Sequence, residues 1–316
     1  MIRIAILCCL LSATQDLSAQ GPDSVYLFAF FRDNGQDGLH LAWSEDGYRF
    51  EALNGNRSFL RPVTGKDSLM RDPCIIQGPD GYYHMVWTTS WTDLGIGYAR
   101  SENLVDWSSQ RFLPVMAHEG QTRNCWAPEI TWDPAEKAYF IYWASTIRGR
   151  FPAGEGSEDD YNHRIYYTRT PNLQTFSRAL PFYDKGFNVI DATVKRDGAR
   201  YLMFLKDETL HPDPQKNIRL ATAPAMEGPW SEPSGPITGA YWAEGPTVTH
   251  VEDYWVVYFD KYRDHRMGAV RSRDLKNWED ISDRIRFPEG TRHGTVFRAP
   301  RSLLRQLNAV SSSSGG

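Results

Sequence analysis

The sequence predicts an all-β chain, a five-bladed β-propeller whose fifth blade is closed by the N- and C-terminal strands. Three observations carry that prediction. One short pattern recurs five times along the chain. Each of the first four copies is followed by the same succession of an aromatic-rich strand, a third strand and a polar turn. The pieces left over at the two ends add up to one further blade.

The five copies are RDPCII from Arg71, WAPEIT from Trp126, IDATVK from Ile190, EGPTVT from Glu244 and RHGTVF from Arg292. Each places a special polar or small residue, then Pro or a small residue, ahead of an apolar or β-branched pair. With Ile75, Ile130, Val194, Val248 and Val296 as the shared column, the intervals are 55, 64, 54 and 48 residues. The second strands are YYHMVWTT from Tyr82, YFIYWAS from Tyr139, YLMFLKD from Tyr201 and YWVVYFD from Tyr254. The third strands are GIGYARS, RIYYTRT, NIRLATA and RMGAVRS, followed by the turns NLVDW, NLQTF, AMEGPW and DLKNW. Alternation, β-branched residues and Gly, Pro, Asn and Asp punctuation favour strands over helices. The fifth copy lacks its later strands, and VYLFAFF from Val25, GLHLAWS from Gly38 and the turn EDGYRF from Glu45 supply them. Closure in this way pairs edges that would otherwise be exposed. A two-sheet sandwich gives no reason for such complementary ends.

Residues 1–19 read as a secretory signal: Arg3 as the positive start, Ile4 to Leu11 as an apolar stretch too short to span a bilayer, and Leu17-Ser18-Ala19 as a small-residue cleavage site. Cys8 and Cys9 lie inside the apolar stretch, which weakens a lipoprotein reading. An exported protein, periplasmic or extracellular, is expected. Residues 20–305 form the propeller and 306–316, ending SSSSGG, a disordered tail. No later segment is long and apolar enough to cross a membrane. The net charge of -4, without a basic stripe, argues against a nucleic-acid partner. Cys74 and Cys125 permit one disulfide without requiring it, and no cysteine spacing is of metal-binding type.

In a propeller the first residues of the innermost strands gather at one mouth of the central channel. Asp72, Asp191 and His293 share one column, and Glu244 stands one residue earlier in its own blade. Three carboxyls and an imidazole then converge from four blades. Like charges in one pocket split their pKa values, so one carboxyl stays protonated while another is ionised. Cleavage of a glycosidic bond needs that division of labour. Aromatic residues make up 13% of the chain, and flat apolar sugar faces stack on rings. Trp126, Trp87 and Trp242, beside channel residues, are candidate platforms, with core packing the competing role. Arg71 and Arg298 flank inner-strand motifs as candidate donors to sugar hydroxyls. Asp33, Asp46, Asp80 and Asp197 read as turn formers. The polar, acidic stretch from Arg148 to Arg164 reads as a surface insertion in blade two.

At these residues the chain resembles glycoside hydrolase family 43, five-bladed propellers that act on arabinose-, xylose- or galactose-bearing polysaccharides. The likeness runs from about Val25 to Pro300. It implies that Asp72 of RDPCII is the general base, that Asp191 of IDATVK tunes and orients the acid, and that Glu244 of EGPTVT is the general acid. It also implies inversion at the anomeric carbon. His293 of RHGTVF matches a channel-floor histidine often found near a bound cation; it is expected to contact a sugar hydroxyl or to hold a cation through water, with a structural hydrogen bond in the channel as the competing role, and a structural calcium in the channel would not be required for the chemistry. Arg298 is the better substrate-binding arginine by the same resemblance. Ala192, where Pro is common, and Glu129, where Asp or His is common, depart from the pattern. The expected activity is exo-acting release of a terminal sugar, α-L-arabinofuranose first, because a compact single propeller without an added module often has that activity in the family. A β-xylosidase or galactofuranosidase of the same fold follows. A retaining fructan-type hydrolase is disfavoured because no Asn-Asp-Pro-Asn opens blade one. A non-catalytic carbohydrate-binding propeller is disfavoured because no carboxylate is lost.

Overall fold

The computed structural model describes residues 23–151 and 161–313. The expected signal peptide, residues 152–160 of the blade-two insertion and the last three residues of the expected tail lie outside the described residues. Five sheets follow one another in the predicted order. Blade one is built from Arg71–Gln77, Tyr83–Thr88, Ile96–Ser101 and Arg111–Leu113, and blade two from Trp126–Asp133, Ala138–Ser145, Arg164–Thr170 and Leu180–Tyr183. Blade four is built from Glu244–Val251, Tyr254–Lys261, Arg266–Ser272 and Glu279–Asp280. Blade five joins both ends of the chain: Gly294–Pro300 pairs with Ser24–Phe30, placing Phe28 opposite Val296, and His40–Ser44 and Glu51–Ala52 complete the sheet.

Blade three has one strand fewer than the other four. Val189–Asp197, Arg200–Asp207 and Asn217–Ala223 form a three-stranded sheet. Its outer position is taken by the segment around Ser231 to Ile237, where the amides of Ser231, Ser234 and Ile237 donate to Thr222, Leu220 and Ile218. Pro233 and Pro236 have no amide to donate, so this segment binds the edge without becoming a regular strand.

The polar turns of blades one, two and four share one mechanism. The hydroxyls of Ser101, Thr170 and Ser272 accept from the amides of Leu104, Leu173 and Leu275. Two residues after each hydroxyl, Asn103, Asn172 or Asp274 accepts from the next amides. Side chains that bond their own backbone in this way fix a turn. Each leucine sits at φ near +60°, and burial of Leu104 and Leu173 offsets that strain. In blade five Ser44 and Asp46 repeat the device, with Gly47 at the left-handed position.

The apolar core is divided into five clusters, one between each pair of neighbouring blades. Between blades four and five Phe50 stacks on Phe287 with centroids 4.4 Å apart, and Phe28 meets Phe287 edge-on at 4.9 Å. Such pairs contribute about 0.5–1.5 kcal/mol each beyond their buried area. Cys74 and Cys125 are both buried free thiols. The helix Arg301–Ser313 runs across the boundary at residue 306 where a disordered tail is expected to begin. Leu303, Leu304 and Leu307 lie on one helical face and are buried in the cluster between blades five and one, an apolar spacing that the serine-rich end obscured.

Candidate active site

Four inner strands begin with the same irregularity. The pairing slips between Arg71 and Cys74, Trp126 and Glu129, Ile190 and Thr193, and Glu244 and Thr247. In each bulge one residue takes left-handed backbone: Asp72 at φ 52°, Ala127 at 45°, Asp191 at 52° and Gly245 at 61°. A bulge re-aims side chains locally, and Asp tolerates this conformation better than most residues. Next along the strands, Cys74, Glu129, Thr193, Thr247 and Thr295 form a second row that ties blades together. Thr193 donates to the buried Glu129 (2.8 Å), Thr295 to the Pro73 carbonyl (3.0 Å), and the Val296 amide to Thr247 (3.0 Å). Glu129 thus bonds within the channel, and burial raises its pKa.

The bulges bring the predicted residues together. His293 Nδ1 lies 3.3 Å from Asp72 Oδ1, and Thr88 donates to Asp72 Oδ2 at 2.8 Å while accepting from the Ala127 amide. Burial alone would raise Asp72, but the bond and charge of His293, with Arg71 and Thr88, outweigh it and hold Asp72 at about 2. Burial would lower His293, and Asp72, Asp191 and Glu244 instead push it up to about 9. Asp191 Oδ2 accepts from the Gly245 amide at 3.0 Å, next to Glu244. Burial pushes Asp191 up to about 7; Glu244 and Asp72 add to the rise, and His293 and Lys206 oppose it.

Glu244 is gripped at both oxygens, by Lys206 Nζ at 3.1 Å and by Arg292 Nη2 at 3.4 Å. Across the strand pair it faces Asp260, whose side chain is fully buried and accepts from Arg292 Nε at 2.6 Å. Burial, then the charge of Glu244, push Asp260 up to about 6 against the pull of Arg292. The site therefore pairs an ionised carboxylate, Asp72, with a group of carboxyls that retains a proton towards neutrality.

An aromatic wall stands over the blade-one and blade-two side. Trp126 meets Trp91 edge-on at 5.6 Å, and Tyr161 and His163 at 4.8 and 5.0 Å; its ring nitrogen donates to the Trp91 carbonyl. Trp91 is 44% exposed. Arg71 lies over the rings of both Phe31 and Trp91 and donates to Asn34. Trp126 therefore sits where a platform was expected. Trp242 flanks Glu244 under the Arg263 guanidinium, 3.4 Å from its centroid.

Two expected substrate contacts are corrected. Trp87 is fully buried in the core between blades five and one, packed so closely on Gly97 that a Cβ there would meet its ring at 2.0 Å, so no ring face is left for a sugar. Arg298 lies at the far end of its strand from His293, opposite Tyr26, over the Tyr26 ring and bonded to Ser24. Of the two arginines expected to contact sugar, Arg71 is the one at the mouth. His293 Nδ1 is turned to Asp72, so that nitrogen is not available for direct ligation; the cation contact expected of His293 is one through water. Among the described residues no group of three or more His, Cys, Asp or Glu side chains is placed to hold a metal ion.

Reading the sequence did not single out Lys206, Asp260, Arg292, Trp91, Tyr161 or His163 as site residues. Lys206 and Asp260 carry a faint signal: each closes an apolar second strand yet is buried, opposite Ile190 and Glu244 respectively.

Comparison with known proteins agrees with this geometry. Residues 22–301 match the family model described as "Probable glycosyl hydrolase domain". An α-L-arabinofuranosidase of Bifidobacterium longum subsp. longum is 22% identical over 213 residues, 59% of this chain; the chain spans about one fifth of that relative's length. Among solved structures, an α-L-arabinofuranosidase from Lactobacillus brevis superposes with a TM-score of 0.50 at 20% identity, over 67% of this chain and 72% of the other. A xylan β-1,4-xylosidase from Bacillus halodurans gives 0.51 at 17% identity, over 67% and 41%. These two structures share the fold with this chain.

Proposed function

The chain belongs to the glycosyl hydrolase family whose domain it matches over residues 22–301, a relative of glycoside hydrolase family 43, and we propose that it is an inverting, exo-acting enzyme that releases terminal α-L-arabinofuranose. The observation that carries the proposal is the convergence on one channel mouth of carboxyls from separate blades in unlike surroundings, Asp72 against His293 and Thr88, and Asp191 on the Gly245 amide beside Glu244. Asp72, held ionised at about 2, serves as the base that activates water. Glu244 serves as the proton donor: its side chain is 20% exposed, whereas Asp191 is 7% exposed and the Asp260 side chain fully buried, so Glu244 is the member a substrate reaches most readily. Asp191 orients it through the Gly245 amide and keeps a proton in the group.

Asp72 and Glu244 come from blades one and four, which are not neighbours in a ring of five. A position across part of the channel suits inversion, in which the carboxyls stand roughly 6.5–9.5 Å apart to admit a water. The named relative supports arabinofuranose, and the xylosidase among the fold's neighbours keeps β-xylose as the second candidate. The basic start and short apolar stretch of residues 1–19 support export. A screen of aryl α-L-arabinofuranoside, β-D-xyloside and β-D-galactofuranoside tests the proposal. Turnover of the first, lost in Glu244→Gln, is expected; turnover of another alone would replace the sugar, and turnover of none would remove the activity.

A further inference from the structure

Beside Glu244 runs a line of buried charges that none of the carboxyl roles uses. Lys206 Nζ lies 3.1 Å from Glu244 Oε2 and 2.7 Å from Glu208 Oε2, with its side chain 2% exposed. Lys216 Nζ lies 2.5 Å from Glu208 Oε1, with its side chain 3% exposed. Lys216 also holds the approach to Glu244 by its backbone: its carbonyl accepts from the Ala243 amide at 2.9 Å, and its ammonium lies 5.5 Å from the Trp242 centroid. Two buried ammonium groups share one carboxylate, and one of them reaches the proposed proton donor.

Burying two lysines costs several kcal/mol each unless they are paired, and apolar residues of similar volume would serve stability as well or better. A role at Glu244 accounts for them. During bond cleavage the Glu244 O–H bond breaks as the glycosidic C–O bond breaks. The proton and the C–O bonding pair end on the leaving oxygen, while water bonds to the anomeric carbon and gives its proton to Asp72. A negative carboxylate is left at residue 244, and the ammonium beside it stabilises that charge as it appears. The charged and titratable groups facing Glu244 are Asp191, Lys206 and Glu208 from blade three, Asp260 and Tyr262 from blade four, and Arg292 and His293 from blade five. Lys206 is the only fully buried cation among them apart from His293, which is turned to Asp72.

We infer that Lys206 is a positioning residue for the proton donor Glu244, its ammonium held in place by Glu208, whose other oxygen Lys216 fixes. The inference rests on the reading of Glu244 as donor. Loss of Lys206 then damages the step in proportion to how much protonation the leaving group needs.

The test compares two glycosides of the sugar that the enzyme turns over, phenyl as the poor leaving group and 2,4-dinitrophenyl as the good one, over the full pH range. Lys206→Met is expected to lower kcat on the phenyl glycoside about 10- to 100-fold, a fraction of the full worth of a general acid, and to leave the dinitrophenyl substrate within about threefold. KM should hold, and the alkaline limb of the phenyl profile should move to higher pH, because removing a cation beside a donor lets it keep its proton longer. Lys206→Arg should recover part of the loss, and Glu208→Gln should repeat the pattern more weakly. These two variants carry the test if Lys206→Met does not fold. Equal losses on both substrates, or an unmoved alkaline limb, would overturn the inference. Glu244→Gln on the same substrates separates the two levels. If it shows no leaving-group dependence the donor assignment itself fails, and if it alone shows that dependence only the role of Lys206 fails.

Discussion

On the blade-one and blade-five side of the mouth, Asp72 meets an imidazolium, a guanidinium and a hydroxyl, and burial loses to them. On the blade-three and blade-four side, Asp191, Glu244 and Asp260 crowd together, and there burial and like charge win over Lys206 and Arg292 for Asp191 and Asp260. Both sides grow from the same bulged strand start, with Asp72 and Asp191 at the same φ of 52°. The backbone repeat decides where a carboxyl stands, and the neighbours brought by adjacent blades decide whether it holds a proton.

The largest effect that sharpens this comparison is expected on activity. Asp72→Asn and Glu244→Gln keep size and hydrogen-bonding capacity but remove proton transfer, so kcat should fall by about 10²–10⁴ or more in each while circular dichroism stays native. Wild-type turnover in either folded variant removes that residue from the mechanism.

Asp191→Asn keeps an acceptor for the Gly245 amide and removes the charge. Activity that depends on the retained proton should fall as pH rises through about 7 in the wild-type protein, and this variant should lose about 10- to 100-fold in kcat with the limb displaced. An unchanged pH–rate profile would break the contrast between the two sides.

Stability should follow the same groups with a defined sign. His293 titrates at about 9 in the folded chain against an ordinary value of 6.5, so its contribution is complete below pH 6.5 and lost as pH rises through 9, on the order of 3 kcal/mol. Asp191, raised from 3.8 to about 7, likewise favours the fold at low pH and loses that support through 7. Urea unfolding of His293→Gln should show a flatter decline between pH 6.5 and 9 than wild type, and Asp191→Asn should be the more stable protein at pH 8. Parallel curves for variant and wild type would contradict the shifts.

The smallest effect belongs to the aromatic wall. Trp91→Ala should raise KM for an oligosaccharide about 3- to 30-fold, as expected for loss of one stacked ring, and hardly change KM for a small aryl glycoside. Equal KM values for wild type and variant on the oligosaccharide would leave Trp91 outside the binding surface.

Much of this was legible in the sequence because the repeat is written in residues with local meaning. The Ser/Thr–leucine turns, the aromatic second strands and the Asp-Pro, Asp-Ala and Glu-Gly-Pro strand starts locate blades, ring closure and three carboxyls without any distant information. What was missed depends on contacts between blades. Lys206 and Asp260 look like ordinary charges at strand ends until the neighbouring strands cover them. Trp87 and Trp126 both lie next to channel residues along the chain, and only the packing against Gly97 sends one into the core. Arg298 fits a motif in sequence, but a strand's rise carries it about 16 Å from His293, to the other end of the channel. The missing regular strand of blade three is explained by Pro233 and Pro236, which interrupt the hydrogen-bonded outer edge.

The central claim is that Asp72 activates water opposite Glu244, and the anomeric configuration of the first-formed product tests it most directly. Proton NMR should follow hydrolysis of whichever aryl glycoside the wild-type protein turns over, recorded before mutarotation. The account predicts that the inverted anomer appears first, the β anomer from an α-L-arabinofuranoside. A retained anomer would contradict it, and would mean that one of the carboxylates at the mouth attacks the sugar directly.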